Sequence, residues 1–384
     1  MGEAVTSRHE QPPVTRSALP ASIASGPPAE LSELPEDDPF TAYLLAAAGP
    51  VDIRRLSLAS PALKTLKEAG AVLVVPMISA GATVGVLALG PRKSERDYTT
   101  DDRQLLDALA RYAAPAIRVG QLVREQQAEA LRRERIEQQL NVARLVQRQF
   151  LPKSLPELPG WQVAAFYRPA LTVGGDFYDF IPLPRGRVMV VIGDVTDKGV
   201  PAALVMASTH SLLRAAAPRL VSPGAVLEKV NELLCKDTPA QMFVTCLALV
   251  IDGASGQVTF ANAGHDVPYV RTADGVAELR ARGMPLGLMP GSGYEEKTFV
   301  FRPGDRALLH SDGLSEAHGT GHEMFGFPRV AALAGRGTSC QGLLDLCLRE
   351  LEAFTGPGHE QEDDITLLAL ERVPDAAPGS GGAR

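Results

Sequence analysis

Residues 188–207 read VMVVIGDVTDKGVPAALVMA. Val188–Ile192 is a run of β-branched and apolar residues, and with Arg187 it predicts a strand. Gly193 ends the run and Asp194 follows it directly. Pro201, at a helix first turn, predicts a helix over Pro201–Ala217. Outward from this unit, strand signals recur at Phe243–Ile251, Gln257–Ala261, Pro268–Arg271, Lys297–Arg302, Arg306–His310 and Ile365–Leu370. Ser222–Pro223 opens a second helix that ends near Cys235, and Cys340–Phe354 makes a third. Strands in clusters, with helices between the clusters, predict α+β layers and argue against a doubly wound βαβ sheet.

Acids recur at the strand ends. Asp176 follows Gly174–Gly175, and Asp194 follows Gly193. Asp312 follows the Arg306–His310 strand and Ser311, and Asp363 and Asp364 immediately precede Ile365. For any one of these, turn chemistry is explanation enough, because Asp and Gly are ordinary turn residues. Four segments with the same arrangement point to a shared site. Like charges at ~4 Å cost about 4 kcal/mol per pair at an effective dielectric of 20. Convergence would therefore call for a cation, and oxygen donors without Cys or His favour hard Mg²⁺ or Mn²⁺.

The chain has 384 residues, with 38 Lys and Arg against 45 Asp and Glu, a net charge of −7. That balance argues against a nucleic-acid partner. No apolar run approaches the ~20 residues of a membrane span. The start, MGEAVTSRHEQPP, has no apolar core of a signal peptide, so a cytoplasmic location is expected. Cys235, Cys246, Cys340 and Cys347 lack C-x-x-C spacing and read as buried, reduced thiols.

The chain divides by composition. Residues 1–39 are rich in Pro, Ala, Ser and Glu, and are expected to be disordered. Residues 40–120 read as a small separate unit, with a short helix over Ala42–Ala48 and strands over Ala71–Ser79 and Ala82–Leu89. A helix over Asp101–Val119 follows, capped by Thr100 or Asp101, with Leu105, Leu109, Tyr112, Ala116 and Val119 on one stripe. Residues 121–152 read as a helical linker with a face of Ile136, Leu140, Ala143, Val146 and Phe150, through which the chain could form a homodimer. The main domain is expected over 155–373, with a flexible tail at 374–384.

At the acidic segments the sequence resembles the bacterial PP2C-type serine/threonine phosphatases of the SpoIIE and RsbU class. The matching motifs are VGGDFYDF (Val173–Phe180), GDVTDKGVPAALVMA (Gly193–Ala207), FVTCLALVID (Phe243–Asp252), ANAGH (Ala261–His265), GMPLG (Gly283–Gly287), HSDGLSEA (His310–Ala317), FGF (Phe325–Phe327) and EDDITLL (Glu362–Leu368). The resemblance implies a PP2C-like β-sandwich of two antiparallel sheets flanked by helices. It also implies a centre of two Mn²⁺ or Mg²⁺ ions, with Asp176, Asp194, Asp312 and Asp363 as catalytic ligands. Asp194 would bridge the ions, the Val195 carbonyl would add an oxygen, and Asp364 would rank second because eukaryotic relatives commonly have Asn there. The implied reaction is metal-assisted hydrolysis of phosphoserine or phosphothreonine by in-line attack of water. The implied substrate is a phosphorylated STAS-type anti-sigma-factor antagonist in partner-switching signalling.

Two departures stand out. Many relatives carry Ser-Gly where this chain has Thr196–Asp197. Eukaryotic relatives have a proton-donating His where Thr196 stands. His265 reads as a structural turn residue, Lys198 as a solvated lysine, and His310 is given no chemistry. Upstream, Leu73–Ala110 resembles the second half of a GAF sensor domain, so Phe40–Gly120 reads as a partial GAF-like unit lacking its first strands.

Rival readings differ in kind. VGGDF is not a diguanylate-cyclase GGDEF signature, because Phe177 replaces the required Glu. No G-x-x-x-x-G-K-[ST] loop is present to support a nucleoside triphosphatase. The serious alternative is a catalytically degenerate scaffold or dimerisation protein. Retention of all the acids argues against it.

Overall fold

The structure, a computed structural model, describes residues 35–373 apart from 36, 48 and 240. The expected disorder of 1–39 falls mostly outside the described residues, as does the 374–384 tail. Order nevertheless begins before residue 40. Asp38 is buried and accepts from Phe40 N at 2.8 Å and Ser60 Oγ at 2.6 Å, tying the chain down where composition alone reads as loose.

The chain divides into two units, 1–133 and 134–384. In the first, α1 (Pro39–Ala47), β1 (Val51–Asp52), α2 (Pro61–Glu68), β2 (Leu73–Ser79) and β3 (Ala82–Leu89) precede a long helix, α3 (Thr100–Gln147). The strands form one antiparallel sheet in the order β1-β2-β3.

Helix α3 corrects the sequence reading in three ways. It is one helix through Pro115 and Gly120 where two segments were expected. A glycine costs only about 1 kcal/mol in a helix, and the Gln-, Glu-, Arg- and Ala-rich residues around it outweigh that. The cap is Thr99, not Thr100 or Asp101. Thr99 Oγ1 accepts from Asp102 N, and Asp102 Oδ2 accepts from Thr99 N at 2.8 Å, a reciprocal capping box. The predicted stripe is also displaced. Leu105, Leu109, Tyr112 and Val119 are exposed, while Ala110 and Ala114 are buried. Small side chains let the helix sit close on β2, where Ala110 packs with Leu73 and Val75.

The second unit is a sandwich. Its strands are β4 (Trp161–Arg168), β5 (Phe177–Pro182), β6 (Val188–Val195), β7 (Val244–Ile251), β8 (Gln257–Ala263), β9 (Tyr269–Thr272), β10 (Gly275–Glu278), β11 (Lys297–Val300), β12 (Arg306–His310) and β13 (Ile365–Arg372). Its further helices are α4 (Val200–Leu220), α5 (Pro223–Asp237), the single turn α6 (Asp312–Ser315), α7 (Phe327–Ala334) and α8 (Cys340–Thr355). One five-stranded sheet runs β10-β9-β12-β13-β4 and the other β11-β8-β7-β6-β5. Every pairing in both sheets is antiparallel.

Alternate residues along each strand face opposite sides of a sheet. On β6, Val190 and Ile192 join Leu249, Leu309 and Leu368 in the core between the sheets. Met189 and Val191 face Met206, Leu213 and Leu227 of α4 and α5. The other sheet meets α7 and α8 through Leu308, Leu367, Leu343 and Cys347. With both faces covered, the central strands have no polar side to show, so they read as continuous apolar runs. Strands β4, β5 and β10 and helices α6 and α7 are additional to the sequence reading.

Ser222 caps α5 and Ser339 caps α8, each accepting from the backbone N–H three residues on. The four cysteines are free. Three are buried, but Cys235 is only half-buried, at the end of α5.

Candidate metal centre

Antiparallel pairing collects the acids. Phe177 is in register with Gly193, so the start of β5 lies beside the end of β6. His310 is in register with Leu367, so the end of β12 lies beside the start of β13. Asp176, Asp194, Asp312, Asp363 and Asp364 therefore come from four strand ends at one end of the sandwich.

Contacts between the two sheets close the cluster. Thr366 Oγ1 on β13 donates to Asp176 Oδ2 at 2.5 Å. Asp364 reaches back to the loop before β5, accepting from Ala170 N at 2.8 Å and from Asp176 N at 3.2 Å. Ser311 Oγ donates to Asp364 O and accepts from Thr366 N, locking the ends of β12 and β13 together. The loop carrying Asp176 runs so close to its neighbours that no side chain fits. A Cβ on Gly174 would overlap Asp364 Oδ2 and stand 2.6 Å from Tyr167 Oη, and one on Gly175 would stand 2.8 Å from Val195 O. Gly174→Ala is expected to cost about 1–3 kcal/mol, the usual penalty of overpacking, read as a lower urea midpoint at unchanged slope.

The electrostatics are strained. Asp176 is buried, and burial, then the charges of Asp194 and Asp364, push its carboxyl well above the ordinary range. Burial and then Asp312 push Asp194 up to about 8. Burial and then Asp363 push Asp312 up to about 7. Asp364 is raised by burial, against the backbone N–H groups that favour its charge. Among the described residues, Lys198 with Asp363 at 2.9 Å is the one ion pair these acids make. Asp176 Oδ1 is buried with no hydrogen-bond partner. The acids gather without closing: among the described residues, no three His, Cys, Asp or Glu side chains form a finished ligand set. The donor chemistry nonetheless fits a hard divalent ion, with oxygen throughout and one buried carboxylate oxygen, Asp176 Oδ1, unpartnered.

A cleft of about 370 Å³ opens beside the cluster, lined by Arg168, Lys198, Asp312, His318, Glu362 and Asp363 among others. The sequence reading had no role for Glu362, whose carboxylate meets His318 Nδ1 at 2.7 Å on the cleft wall.

The neighbouring residues resolve the sequence departures. Thr196 Oγ1 donates to Phe243 O at 3.1 Å and accepts from Phe243 N at 3.0 Å, so it clamps the loop. Asp197 sits at φ 69°, a left-handed conformation where the relatives' Gly is at ease and Asp is tolerated. His265 is structural: its backbone N–H and carbonyl are both bound by the Asn262 side chain, and Nδ1 meets Thr245 Oγ1 at 2.8 Å. Burial holds His265 neutral, down to about 3. Burial also pushes the Cys246 thiol up to about 12, far from a nucleophile's range.

Sequence reasoning missed an ion pair on β5, buried at its carboxylate end and open to water at its guanidinium end. Asp179, three residues beyond Asp176, is fully buried and accepts from Arg214 Nε at 2.5 Å and from Arg214 NH2 at 2.9 Å. His210 Nε2 lies 3.0 Å away. Burial works against the charge, but the Arg214 hydrogen bonds, with His210 close by, prevail and hold Asp179 down at about 2. Its stabilisation is present above pH ~4 and is lost as pH falls towards 2. Breaking a fully buried pair costs about 3–5 kcal/mol. Arg214 can reach water, so Asp179→Ala is expected to cost about 2 kcal/mol by chemical denaturation.

The family described as Stage II sporulation protein E (SpoIIE) matches residues 184–373. The second unit is a SpoIIE-type PP2C domain. The match contains Asp194, Asp312, Asp363 and Asp364 and begins just after Asp176. A GAF domain matches residues 15–119, part of which lies outside the described residues. Protein IcfG of Synechocystis sp. is 30% identical over 263 residues, covering 61% of this chain and 41% of that protein. Phosphoserine phosphatase RsbU of Bacillus subtilis is 27% identical over 204 residues, covering 52% of this chain and 61% of RsbU. The chain spans about half the length of the curated relatives it matches. The RsbU and RsbW domains of Rv1364c from Mycobacterium tuberculosis superpose with a TM-score of 0.52 at 30% identity, covering 60% of this chain and 64% of theirs. The SiaA-PP2C domain of Pseudomonas aeruginosa shares the fold, with a TM-score of 0.56 at 24% identity over 63% of this chain and 99% of that domain. Among the described residues no helix is long and apolar enough to cross a membrane.

Proposed function

We propose that this chain is a metal-dependent protein serine/threonine phosphatase, acting on a phosphorylated STAS-type anti-sigma-factor antagonist. The observation that carries the reading is the gathering of four strand-end acid segments, with Asp194 sensing Asp312, Asp363 and Asp364 and Asp176 bound to Thr366 and Asp364. Relatives named phosphoserine phosphatase, RsbU and RsbP of Bacillus subtilis, support the reaction class and the partner-switching context.

Asp176, Asp194, Asp312, Asp363 and the Val195 carbonyl would hold Mn²⁺ or Mg²⁺. Such ions would supply Lewis acidity for the attack of water on phosphorus. Thr366 fixes the Asp176 carboxylate and Ser311 locks the strand ends that carry the other acids, so little reorganisation remains for the reaction itself. Asp364, with both oxygens taken by backbone N–H groups, anchors the Asp176 loop in preference to serving as a ligand. Lys198 neutralises Asp363 on the cleft wall. Thr196 is committed to Phe243, so it does not protonate the leaving serine oxygen.

The test is release of phosphate from a phosphoserine-bearing STAS antagonist with Mn²⁺. EDTA should stop turnover. Turnover that persists undiminished in EDTA would sink the metal-dependent reading, and a chain inert towards every phosphoprotein would favour the scaffold.

A second copy of the chain is the proposed partner for α3, whose Leu131, Ile136, Val142, Leu145 and Val146 are exposed. Sedimentation should show a dimer that Ile136→Glu with Val146→Glu converts to monomer. A wild-type monomer at tens of micromolar would discard it.

A further inference from the structure

Gln147 is the last residue of α3, and only 6% of it is exposed. Its carboxamide makes a matched pair of bonds to one residue. Nε2 donates to Gly174 O at 2.6 Å, and Oε1 accepts from Gly174 N at 3.2 Å. Gly174 lies before β5 and has no strand partner, so a side chain supplies the pairing that a neighbouring strand would give. A buried backbone N–H and C=O need such partners.

The position matters because Gly174 lies two residues before Asp176. The loop is held on its other side by Asp364, through Ala170 N and Asp176 N. It also passes within contact of the Val195 carbonyl. Gln147 and Asp364 thus grip the same short segment from opposite ends of the chain. The next turn reaches β5 itself, three residues beyond Asp176. Phe150 sets its ring edge-on to His210 at 5.6 Å, and His210 approaches Asp179 on β5.

We infer that Gln147 is a positioning residue for the metal centre: its carboxamide sets the backbone of the Gly174–Asp176 loop and so the place of the Asp176 carboxylate. The inference rests on the metal-dependent reading above. Gln147 touches neither ion nor substrate and acts through Gly174. Groups that orient a ligand in this way are worth about 10–100-fold in metal affinity.

The test uses the full chain with Gln147→Met, which keeps the length and loses both bonds, and Gln147→Glu, which keeps the acceptor and loses the donor. Gln149→Ala, an exposed site on the same segment, is the control. Mn²⁺ binding is followed by calorimetry, and amide exchange is followed in the peptide containing Gly174 and Gly175. Expected for Gln147→Met are Mn²⁺ affinity weakened about tenfold or more, faster exchange at Gly174, and turnover restored to within a few-fold by saturating Mn²⁺. Gln147→Glu should shift the same way, which keeps the inference testable if Gln147→Met folds poorly. Unchanged Mn²⁺ affinity with unchanged exchange overturns the inference, and so does a turnover defect that saturating Mn²⁺ leaves in full. Failure of the underlying reading looks different. A wild-type chain that binds no Mn²⁺, or an Asp194→Asn chain that binds it as wild type does, removes the metal centre itself. Exchange at Gly174 then decides alone whether Gln147 holds the loop.

Discussion

Asp194→Asn is expected to leave a folded chain whose phosphatase turnover falls by at least about a thousandfold, a loss of roughly 4 kcal/mol in transition-state stabilisation. Asp194 lies against Asp176 and feels the charges of Asp312, Asp363 and Asp364, so it is the acid most central to the cluster. An amide of the same shape keeps the packing but removes the charge that would hold a divalent ion. The same substitution should stabilise the metal-free protein. Burial and then Asp312 push the wild-type carboxyl up to about 8, so at pH 8 ionising it works against the fold. In EDTA at pH 8, calorimetry should show the variant melting above wild type, with its activity gone. A variant that hydrolyses phosphoserine at the wild-type rate would remove Asp194 from the chemistry.

Metal removal should expose a pH dependence of unusual sign. Asp194 at about 8 and Asp312 at about 7 hold protons in the folded chain that the unfolded chain releases near 4. Between those limits the folded state binds more protons, so stability falls as pH rises. The chelated protein should melt higher at pH 5.5 than at pH 8, and the loss should level off above pH ~8. Mn²⁺ at about 100 times its dissociation constant adds about 2.7 kcal/mol. At roughly 2–4 °C per kcal/mol for a domain of this size, that is about 5–10 °C at pH 8. The gain should shrink at pH 5.5, where protons compete for the same oxygens. A metal-free protein more stable at pH 8 than at pH 5.5, and indifferent to Mn²⁺, would contradict the carboxylate cluster.

The acids were legible because each sits beside a glycine or at the start or stop of an apolar run. A strand such as Val188–Ile192 announces itself locally, and so does the Gly-Asp that ends it. Gln147 carried no such signal. It is one of several glutamines in a polar helix, and its role depends on a backbone 27 residues away. Asp179 and Arg214 are 35 residues apart, and neither position marks the other. The stripe on α3 was misplaced for a related reason. Leu105 and Leu109 look like a buried face, yet the closely packed positions are Ala110 and Ala114. Apolar character alone does not tell a helix which side its neighbour will approach.

By itself the sequence determined most of the strands and helices, the apolar layers, and the carboxylates beside Gly or at the ends of apolar runs, because all of these rest on short-range periodicity and turn chemistry. Tertiary structure alone decided which ends meet, since antiparallel register and the packing of two sheets bring Asp176 against Thr366 and Asp364 from 190 and 188 residues away. It also decided the charge state of the cluster, because burial and neighbouring carboxylates, not residue type, lift Asp194 and Asp312 out of the ordinary acid range.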